Sequence, residues 1–542
     1  MNLQPELPDG NIEYKLHIIE LDNDKLNNRM TQMRYRIDEG RGEAFYYIGV
    51  MDNGEIVGLS KERLDESREN LVQIANKLFC IVQVVFEKQL DSGLHYGHYL
   101  VRENDGDYIE VKIGVVGNVD AGKSTTISLL SKGITDDGRG KARMSIFNHK
   151  HEIDTGRTSS IGHEIVGFDI SGKIVNWNKR EKSLNWQNIV NNSVKIVSFF
   201  DMAGHEKYLK TTIYGLTAMY PDYCLVLVGA NMGISQMTKE HISLCLSLKI
   251  PFIVVITKID IAPPNILKEN IQQIKTICKV GARKVPYMIK NYDDVLNVIK
   301  NIKNDNIVPI LQVSNVSREG YDIFENFLNL LPVRTNFSKY TNLPGKMIID
   351  KTYNVVGHGL IICGILKEGV LKVGDTLHIG PNALCEYKQI KIKSIHVNFK
   401  DVKSALPGNY LSIAVRGIQR KEVMRGMIAL ANKDDIKAIK QFWAVTTILQ
   451  THSTTIRVGY EPIVHIENIR EAVKILEIHK IRSVSDDTDA VLRTGDRAYV
   501  LLEFLSKPKF IEKNQRLIFR EGKVKAVGKI LIDRPEIENN SL

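Results

Sequence analysis

Cysteine is scarce here, six in 542 residues, and none of the six stands in a C-x-x-C or other paired spacing. That excludes a disulfide scaffold and a cysteine-ligated zinc site. Cys80, Cys224, Cys245, Cys278, Cys363 and Cys385 read instead as reduced thiols, several inside apolar strand-like runs, which suits an intracellular, cytoplasmic chain. No apolar run reaches membrane-spanning length, and the opening MNLQPELPDG lacks the apolar core of a signal peptide. No membrane association is expected. Charge is not of one sign either: 73 Lys and Arg face 63 Asp and Glu, a net of +10. A polyanionic partner such as RNA accounts for that surplus, and so does a merely Lys-rich surface. The length is that of about three or four domains.

What the sequence does contain begins at Val111. An apolar, β-branched run, Val111 to Val116, reads as a buried strand. Gly117-Asn118-Val119-Asp120-Ala121-Gly122-Lys123-Ser124 follows at once and fits G-x-x-x-x-G-K-[ST], and Thr125 onward reads as a helix. The glycines let backbone N–H groups approach phosphate oxygens, and the helix start adds the positive end of its dipole. In such a loop Lys123 reaches the β- and γ-phosphates and Ser124 binds Mg²⁺. At this point only a nucleotide phosphate site is implied.

The base and the switch come from residues downstream, in order. Val194 to Phe200 reads as a strand, and Asp201-Met202-Ala203-Gly204 at its end gives D-x-x-G. Asp201 is placed to hold Mg²⁺ and Gly204 to sense the γ-phosphate. A further strand, Ile250 to Ile256, ends in Thr257-Lys258-Ile259-Asp260. The Asp260 carboxylate can accept from guanine N1–H and the 2-amino group. Adenine lacks both donors and would leave the carboxylate unpaired, so the nucleotide is GTP. Lys258 can cover the base, and Ser314-Asn315-Val316 can offer a backbone N–H to guanine O6. The polar segment Asp136 to Phe168 has the composition of one that orders on GTP and relaxes on GDP. Thr158, Ser159 and Ser160 each offer it a hydroxyl for Mg²⁺. Asn176 to Asn192, with Trp177 and Trp186, is either a surface hairpin or a partner-contacting insertion.

Residues 1–110 read as a small α+β domain. Glu13 to Leu21 alternates like a strand, and Lys25 to Arg36 and Lys61 to Lys77 are helix-like, the latter capped by Ser60. Phe45 to Val50 and Glu55 to Leu59 flank Asn53-Gly54 as a type I′ hairpin, and Cys80 to Phe86 returns to strand. Arg41-Gly42-Glu43 reads as a solvated turn. The GTPase domain takes 111–338. Short β runs punctuated by glycine then indicate two small β-barrels, 339–436 and 437–542, with a polar tail from Asp533.

GNVDAGKS, DMAGH at Asp201 to His205 and TKID resemble the translational GTPases typified by elongation factor Tu. VVGHGLIICGILKEGVLKVGDTLHIGP from Val355 is similar to that class's second domain. LRTGDRAYVLLEF from Leu492 and QRLIFREGKVKAVGKI from Gln515 are similar to its third. More narrowly, EYKLHIIE from Glu13, MTQMRYRIDEGRGEA from Met30, HEIDTGRTSSIGHEIVGFD from His151 and AGHEKYLKTTIYGLT from Ala203 resemble the eukaryotic GTP-binding proteins 1 and 2. The resemblance implies a GTP hydrolase of the translational-factor type, a monomer that hydrolyses GTP to GDP and phosphate as a timed switch. It implies that His205 positions the attacking water, that Val119 forms an apolar gate beside it, and that Asp120 helps hold a monovalent cation. It implies a ribosome and aminoacyl-tRNA or another RNA as partners, in elongation, rescue or surveillance. The alternative is a GTP-gated adaptor in RNA decay whose hydrolysis only resets it. A GTPase subunit of a metabolic enzyme would need a second catalytic constellation, which the sequence does not offer. Two departures stand out: Thr257 replaces the usual Asn, and Gly156-Arg157-Thr158-Ser159-Ser160-Ile161 replaces R-G-I-T-I. Ser160 is the preferred Mg²⁺ hydroxyl on its distance from Phe168, with Thr158 the other choice and Arg157 a charge stabiliser or a surface residue.

Asp260→Asn is expected to lower GTP affinity roughly 10–100-fold, the range of one unmet buried polar group, and to favour xanthine nucleotides, because the amide reverses one hydrogen bond. Nucleotide titration decides it: undiminished GTP affinity would remove the base assignment.

Overall fold

The computed structural model describes residues 3–19, 22–103, 108–146, 152, 158, 160–177, 185–302, 305–449, 455–482, 491–521 and 523–535. The first elements are β1 (Ile12–Lys15), α1 (Asn23–Gly40), β2 (Glu43–Ile48), α2 (Lys61–Lys77), β3 (Cys80–Gln89) and β4 (His95–Glu103). Their sheet runs β1-β2-β4-β3. Ser60 caps α2 as expected, its hydroxyl accepting from the Arg63 N–H at 3.4 Å, and Leu64, Leu71 and Ile74 line the buried face. The helices cover one sheet face. From the other, Tyr14, Phe45, Tyr47 and Leu100 join the same apolar core as Val111 and Phe327 of the GTPase domain.

The strand and hairpin readings of this region are corrected. The first strand stops at Lys15. The Asn53-Gly54 turn is not type I′, which needs positive φ at both residues. Only Gly54 has it (+87°), Val50 and Ile56 form a single bridge, and Asn53 Oδ1 accepts from the Glu55 N–H at 2.9 Å. This is the geometry of a three-residue loop.

The GTPase domain alternates strand and helix: β5 (Ile109–Gly117), α3 (Lys123–Lys132), β6 (Gly162–Phe168), α4 (Trp186–Asn191), β7 (Lys195–Asp201), α5 (Leu209–Ala218), β8 (Tyr223–Gly229), α6 (Gln236–Ser247), β9 (Phe252–Thr257), α7 (Pro264–Thr276), β10 (Val285–Met288), α8 (Tyr292–Asn301), β11 (Ile307–Gln312) and α9 (Tyr321–Leu330). The sheet order is β10-β11-β9-β8-β5-β7-β6, with only β6 antiparallel. With helices on both faces, these strands read as unbroken apolar runs rather than alternating ones. β5 pairs with β8 on one side and β7 on the other, so the chain leaves its carboxyl end where the strand order reverses. Open α/β sheets bind ligands there.

Two six-stranded β-barrels follow. In the first, Thr376–Gly380 closes the ring by pairing with both Lys388–Val397 and Ile428–Leu430. The second is closed by Lys523–Ile532, which pairs with Gln441–Ile448 and Arg516–Glu521. Of the polar tail, residues 536–542 lie outside the described ones.

Glu43 corrects the solvated-turn reading. Arg41 does cap α1 in the left-handed conformation, but Glu43 is wholly buried, with Arg102 Nε at 2.8 Å and Lys195 Nζ at 3.4 Å. Arg102 and Lys195 also donate to the Asn329 carbonyl at 2.7 and 2.6 Å, and Lys195 to that of Leu331 at 2.6 Å. Burial pushes the Glu43 carboxyl up, but Lys195 and Arg102 outweigh it and hold the group below the usual carboxylate range. Burial brings the Lys195 ammonium down to about 8 against the pull of Glu43. Such a cluster contributes little net stability when complete, and much is lost when one member is removed. Glu43→Ala, leaving two buried cations unpaired, is expected to cost about 3–5 kcal/mol. Chemical denaturation followed by tryptophan fluorescence checks this, and a loss under about 1 kcal/mol would show the cluster is not closed in solution.

Candidate functional site

The site forms at the carboxyl ends of β5, β7 and β9. Gly117 has no room for a side chain: a Cβ there would strike the Leu227 carbonyl oxygen of β8. Gly122 (φ +82°) and Asp120 (φ +60°) take left-handed backbone that turns the loop into α3. Lys123 folds back over its own loop and donates to the carbonyls of Gly117 (3.1 Å) and Asn118 (2.8 Å). Burial lowers its ammonium pKa, with Asp201 and Asp120 opposing. Gly204 abuts this loop, since a Cβ there would lie 2.7 Å from the Gly117 carbonyl oxygen. One cleft is lined by Val119, Asp120, Lys123, Ser124 and Thr125 from the loop side and by Gly204 and His205 opposite.

The donor set for Mg²⁺ is compact. Ser124 Oγ donates to Asp201 Oδ2 at 2.6 Å, and Thr158 Oγ1 lies 3.1 Å from Ser124 Oγ and 3.4 Å from Asp201 Oδ2. Asp201 is buried, its Oδ1 has no hydrogen-bond partner, and burial pushes its carboxyl up to about 6. A buried carboxylate with an unmet oxygen beside two hydroxyls is hard-oxygen chemistry that suits Mg²⁺. The preference for Ser160 is corrected, because its N–H and hydroxyl both turn to Glu152 Oε1, at 3.1 and 3.3 Å. Ser159 and Arg157 lie outside the described residues.

The other expected residues divide into those that face the cleft and those that brace it. His205 is half-buried, and its Nδ1 accepts from the Lys207 N–H at 3.1 Å. Met202 and Ala203 are fully buried, Met202 packing in the core beneath α5. On the base side, Thr257 Oγ1 donates to the Ala121 carbonyl at 2.9 Å, tying the TKID turn to the phosphate loop. Asn315 Oδ1 accepts from Thr126 Oγ1 (3.2 Å) and the Tyr321 hydroxyl (2.7 Å), while Ser314 Oγ accepts from the Val316 N–H at 3.2 Å. Lys258 is half-buried and Asp260 exposed at the rim.

Sequence reasoning missed Arg143. It lies on a short 3₁₀ turn, Ala142–Ser145, lines the same cleft, and sets Nη1 3.4 Å from Asp120 Oδ1. The signal available was the run Gly138-Arg139-Gly140-Lys141-Ala142-Arg143, charge and glycine in a polar segment.

A second cavity of about 1240 Å³ opens between the GTPase domain and the first barrel. His163 stacks on Phe200 (4.8 Å) and meets Trp186 edge-on (5.1 Å), and Trp186 meets Phe399 of the barrel at 81° and 5.0 Å. Burial lowers the His163 pKa to about 3, so the ring is neutral, and its Nε2 has no partner. Asn176 is buried and Trp177 Nε1 donates to the Leu130 carbonyl at 3.1 Å, so these first two residues of the Asn176 to Asn192 segment are structural. Residues 178–184 lie outside the described ones.

Comparison with known proteins gives three family matches in chain order. They are the Elongation factor Tu GTP binding domain over residues 110–339, Elongation factor Tu domain 2 over 359–430, and the Elongation factor Tu C-terminal domain over 435–532. The chain is 40% identical to GTP-binding protein 1 of Xenopus laevis over 526 residues, covering 96% of this chain and 78% of that one. It is 35% identical to GTP-binding protein 2 of Homo sapiens over 539 residues, covering 97% and 88%. Among solved structures, translation elongation factor SelB of Methanococcus maripaludis with the GTP analogue GppNHp has a TM-score of 0.56 at 19% identity, covering 79% of this chain and 80% of that one. This last match shows the shared fold.

Thr257→Val removes the bond to Ala121 while keeping the side-chain shape. It is expected to weaken GDP binding by about 1–2 kcal/mol, roughly 5–30-fold, whereas Thr257→Asn retains most of the affinity. Fluorescent-nucleotide titration reads both, and equal affinities for Val and wild type would mean the bridge carries no binding.

Proposed function

The chain belongs to the elongation factor Tu class of GTPases, in the family of GTP-binding proteins 1 and 2, and from that premise we propose that it hydrolyses GTP as a timed switch in concert with the ribosome and aminoacyl-tRNA. It works as a monomer in the cytoplasm on this reading. The observation that carries it is the aromatic cavity. His163, Trp186, Phe399 and Tyr410 line it, and flat rings near right angles to one another offer faces on which unpaired bases stack. Lys132 and Lys351 line the same cavity and suit a phosphate backbone. Ile161, two residues before His163 in the chain, lends its carbonyl to Lys351 Nζ at 3.5 Å. The cavity wall is therefore continuous with the segment that carries Thr158.

In the reaction, Lys123 offsets charge on the β- and γ-phosphates, and the backbone N–H groups of the loop hold them. Mg²⁺ held by Ser124, Thr158 and Asp201 would neutralise phosphate oxygen charge. His205, its Nδ1 engaged by Lys207, presents Nε2 to a water. The chain supplies positioning and electrostatics, so turnover is slow until a large partner completes the geometry.

Ribosomes are expected to stimulate hydrolysis. His205→Ala is expected to bind GTP normally and lose that stimulation by about 10²-fold or more, as removal of a water-positioning group does. Turnover assays with and without ribosomes carrying aminoacyl-tRNA measure both. Stimulation by RNA-decay machinery in place of ribosomes would replace the proposed partner.

A further inference from the structure

We propose that Arg143 supplies, within the same chain, the positive charge that stabilises the γ-phosphoryl group as it transfers, in place of a monovalent cation at Asp120. This rests on the GTPase reading of the cleft. The guanidinium lines that cleft with Lys123, Thr158 and His205, and Nη1 lies 3.4 Å from Asp120 Oδ1. A cation beside Asp120 and the guanidinium would compete for the same carboxylate oxygen. The residues therefore fit a built-in cation rather than a bound one.

The pair is not explained by stability. Arg143 and Asp120 side chains are 30% and 59% exposed, and an exposed pair of this kind contributes about 0–1 kcal/mol. The turn carrying Arg143 is nonetheless firmly held. Ser128 Oγ on α3 donates to the Ala142 carbonyl at 2.7 Å and lies 2.8 Å from Ser145 Oγ. Asp136 accepts from the N–H groups of Ala142 (3.1 Å) and Gly140 (3.3 Å), and its own N–H donates to the Asn315 carbonyl at 3.1 Å. Gly140 (φ +90°) leaves the guanidinium its space, since a Cβ there would lie 2.9 Å from Arg143 Cζ. Ser128 stands one helical turn beyond Ser124. The helix that positions the phosphate loop thus also positions Arg143.

The chemistry needs a charge at this place. Water oxygen bonds to the γ-phosphorus as the bond to the β–γ bridging oxygen breaks, that electron pair leaves with GDP, and the water proton ends on inorganic phosphate. Negative charge builds on the bridging and equatorial oxygens, and Arg143 beside Lys123 meets it. An arginine so placed is rigid, always charged and cannot be diluted away.

Single-turnover hydrolysis by the full chain, without ribosomes, tests this in potassium, sodium and choline chloride buffers. Wild type is expected to run at the same rate within about twofold in all three, since its cation is covalent. Arg143→Ala is expected to lose about 10²-fold or more in rate while GTP affinity stays within about threefold, and to regain part of the rate in potassium alone. Arg143→Lys falls between, keeping the charge but not the fork. An Arg143→Ala rate within about threefold of wild type, with His205→Ala slow, overturns the proposal and leaves the hydrolytic site standing. A wild type that requires potassium also overturns it. If neither Arg143→Ala nor His205→Ala slows hydrolysis, with or without ribosomes, the reading of the cleft itself fails.

Discussion

Everything at the nucleotide site depends on a close approach between two backbones. The Leu227 carbonyl of β8 occupies the space a Gly117 side chain would need, so the phosphate loop leaves β5 pressed against its neighbouring strand. From there its course is fixed by ties on every side. Thr257 holds the Ala121 carbonyl, Asn315 holds Thr126, and Gly204 packs against the Gly117 carbonyl. The base turn, the phosphate loop and the switch glycine therefore share one rigid frame. Lys123 is held within the same frame, donating to the loop's own Gly117 and Asn118 carbonyls.

That frame is coupled to the barrels through α5, which begins four residues after His205. Tyr214 of α5 and Tyr410 of the first barrel each donate to a different oxygen of Asp350, both at 2.8 Å. One turn on, Thr217 donates to the Glu467 carbonyl of the second barrel at 3.0 Å, and Tyr220 bonds the Glu467 carboxylate, which Lys367 of the first barrel also reaches at 2.8 Å. A shift of Gly204 and His205 on hydrolysis has to be absorbed in these bonds. They are discrete and half-buried, the kind of contact that switches between arrangements rather than flexing by degrees. Tyr410 lines the aromatic cavity as well, which places the cavity at the receiving end of that change.

How much of this could be read from residues follows from the range of each constraint. The phosphate loop, D-x-x-G, TKID and the two barrels were legible because each residue type answers to its own chemistry within a few positions of its motif. Glu43 was not. Its partners Arg102 and Lys195 stand 59 and 152 residues away, and only the sheet brings them together. Locally, Arg-Gly-Glu after a helix has every mark of a solvated turn. The same limit applied to the switch hydroxyl: three neighbouring hydroxyls differ in sequence by nothing that fixes their direction, and the turn of Ser160 to Glu152 is visible only in the fold. Asn53 fell to a subtler difference, one dihedral angle, which separates two turn types that share a sequence. Arg143 was invisible for a further reason: what makes it notable is Asp120, 23 residues earlier, and a serine on the intervening helix.

The N-terminal domain's place constrains what it can do. Lys195 opens β7 and Asp201 closes it, so the buried Glu43 cluster grips the opposite end of the strand from the one that faces the cleft. Seven residues of strand span roughly 20 Å. Further polar ties run from Lys88 to Asp293 of α8 at 2.7 Å, from Arg102 to Asn329 of α9, from Gln83 to the Ser171 carbonyl at 3.5 Å and from Arg41 to the Val333 carbonyl at 3.4 Å. No described contact joins it to the phosphate loop, Gly204 or His205. Its shared core with the GTPase domain also rules out a loosely tethered module, because separating the two would expose Tyr14, Phe45, Tyr47 and Leu100 and strand a charged cluster. The N-terminal domain is thus built into the GTPase domain through apolar packing and a buried charged cluster together.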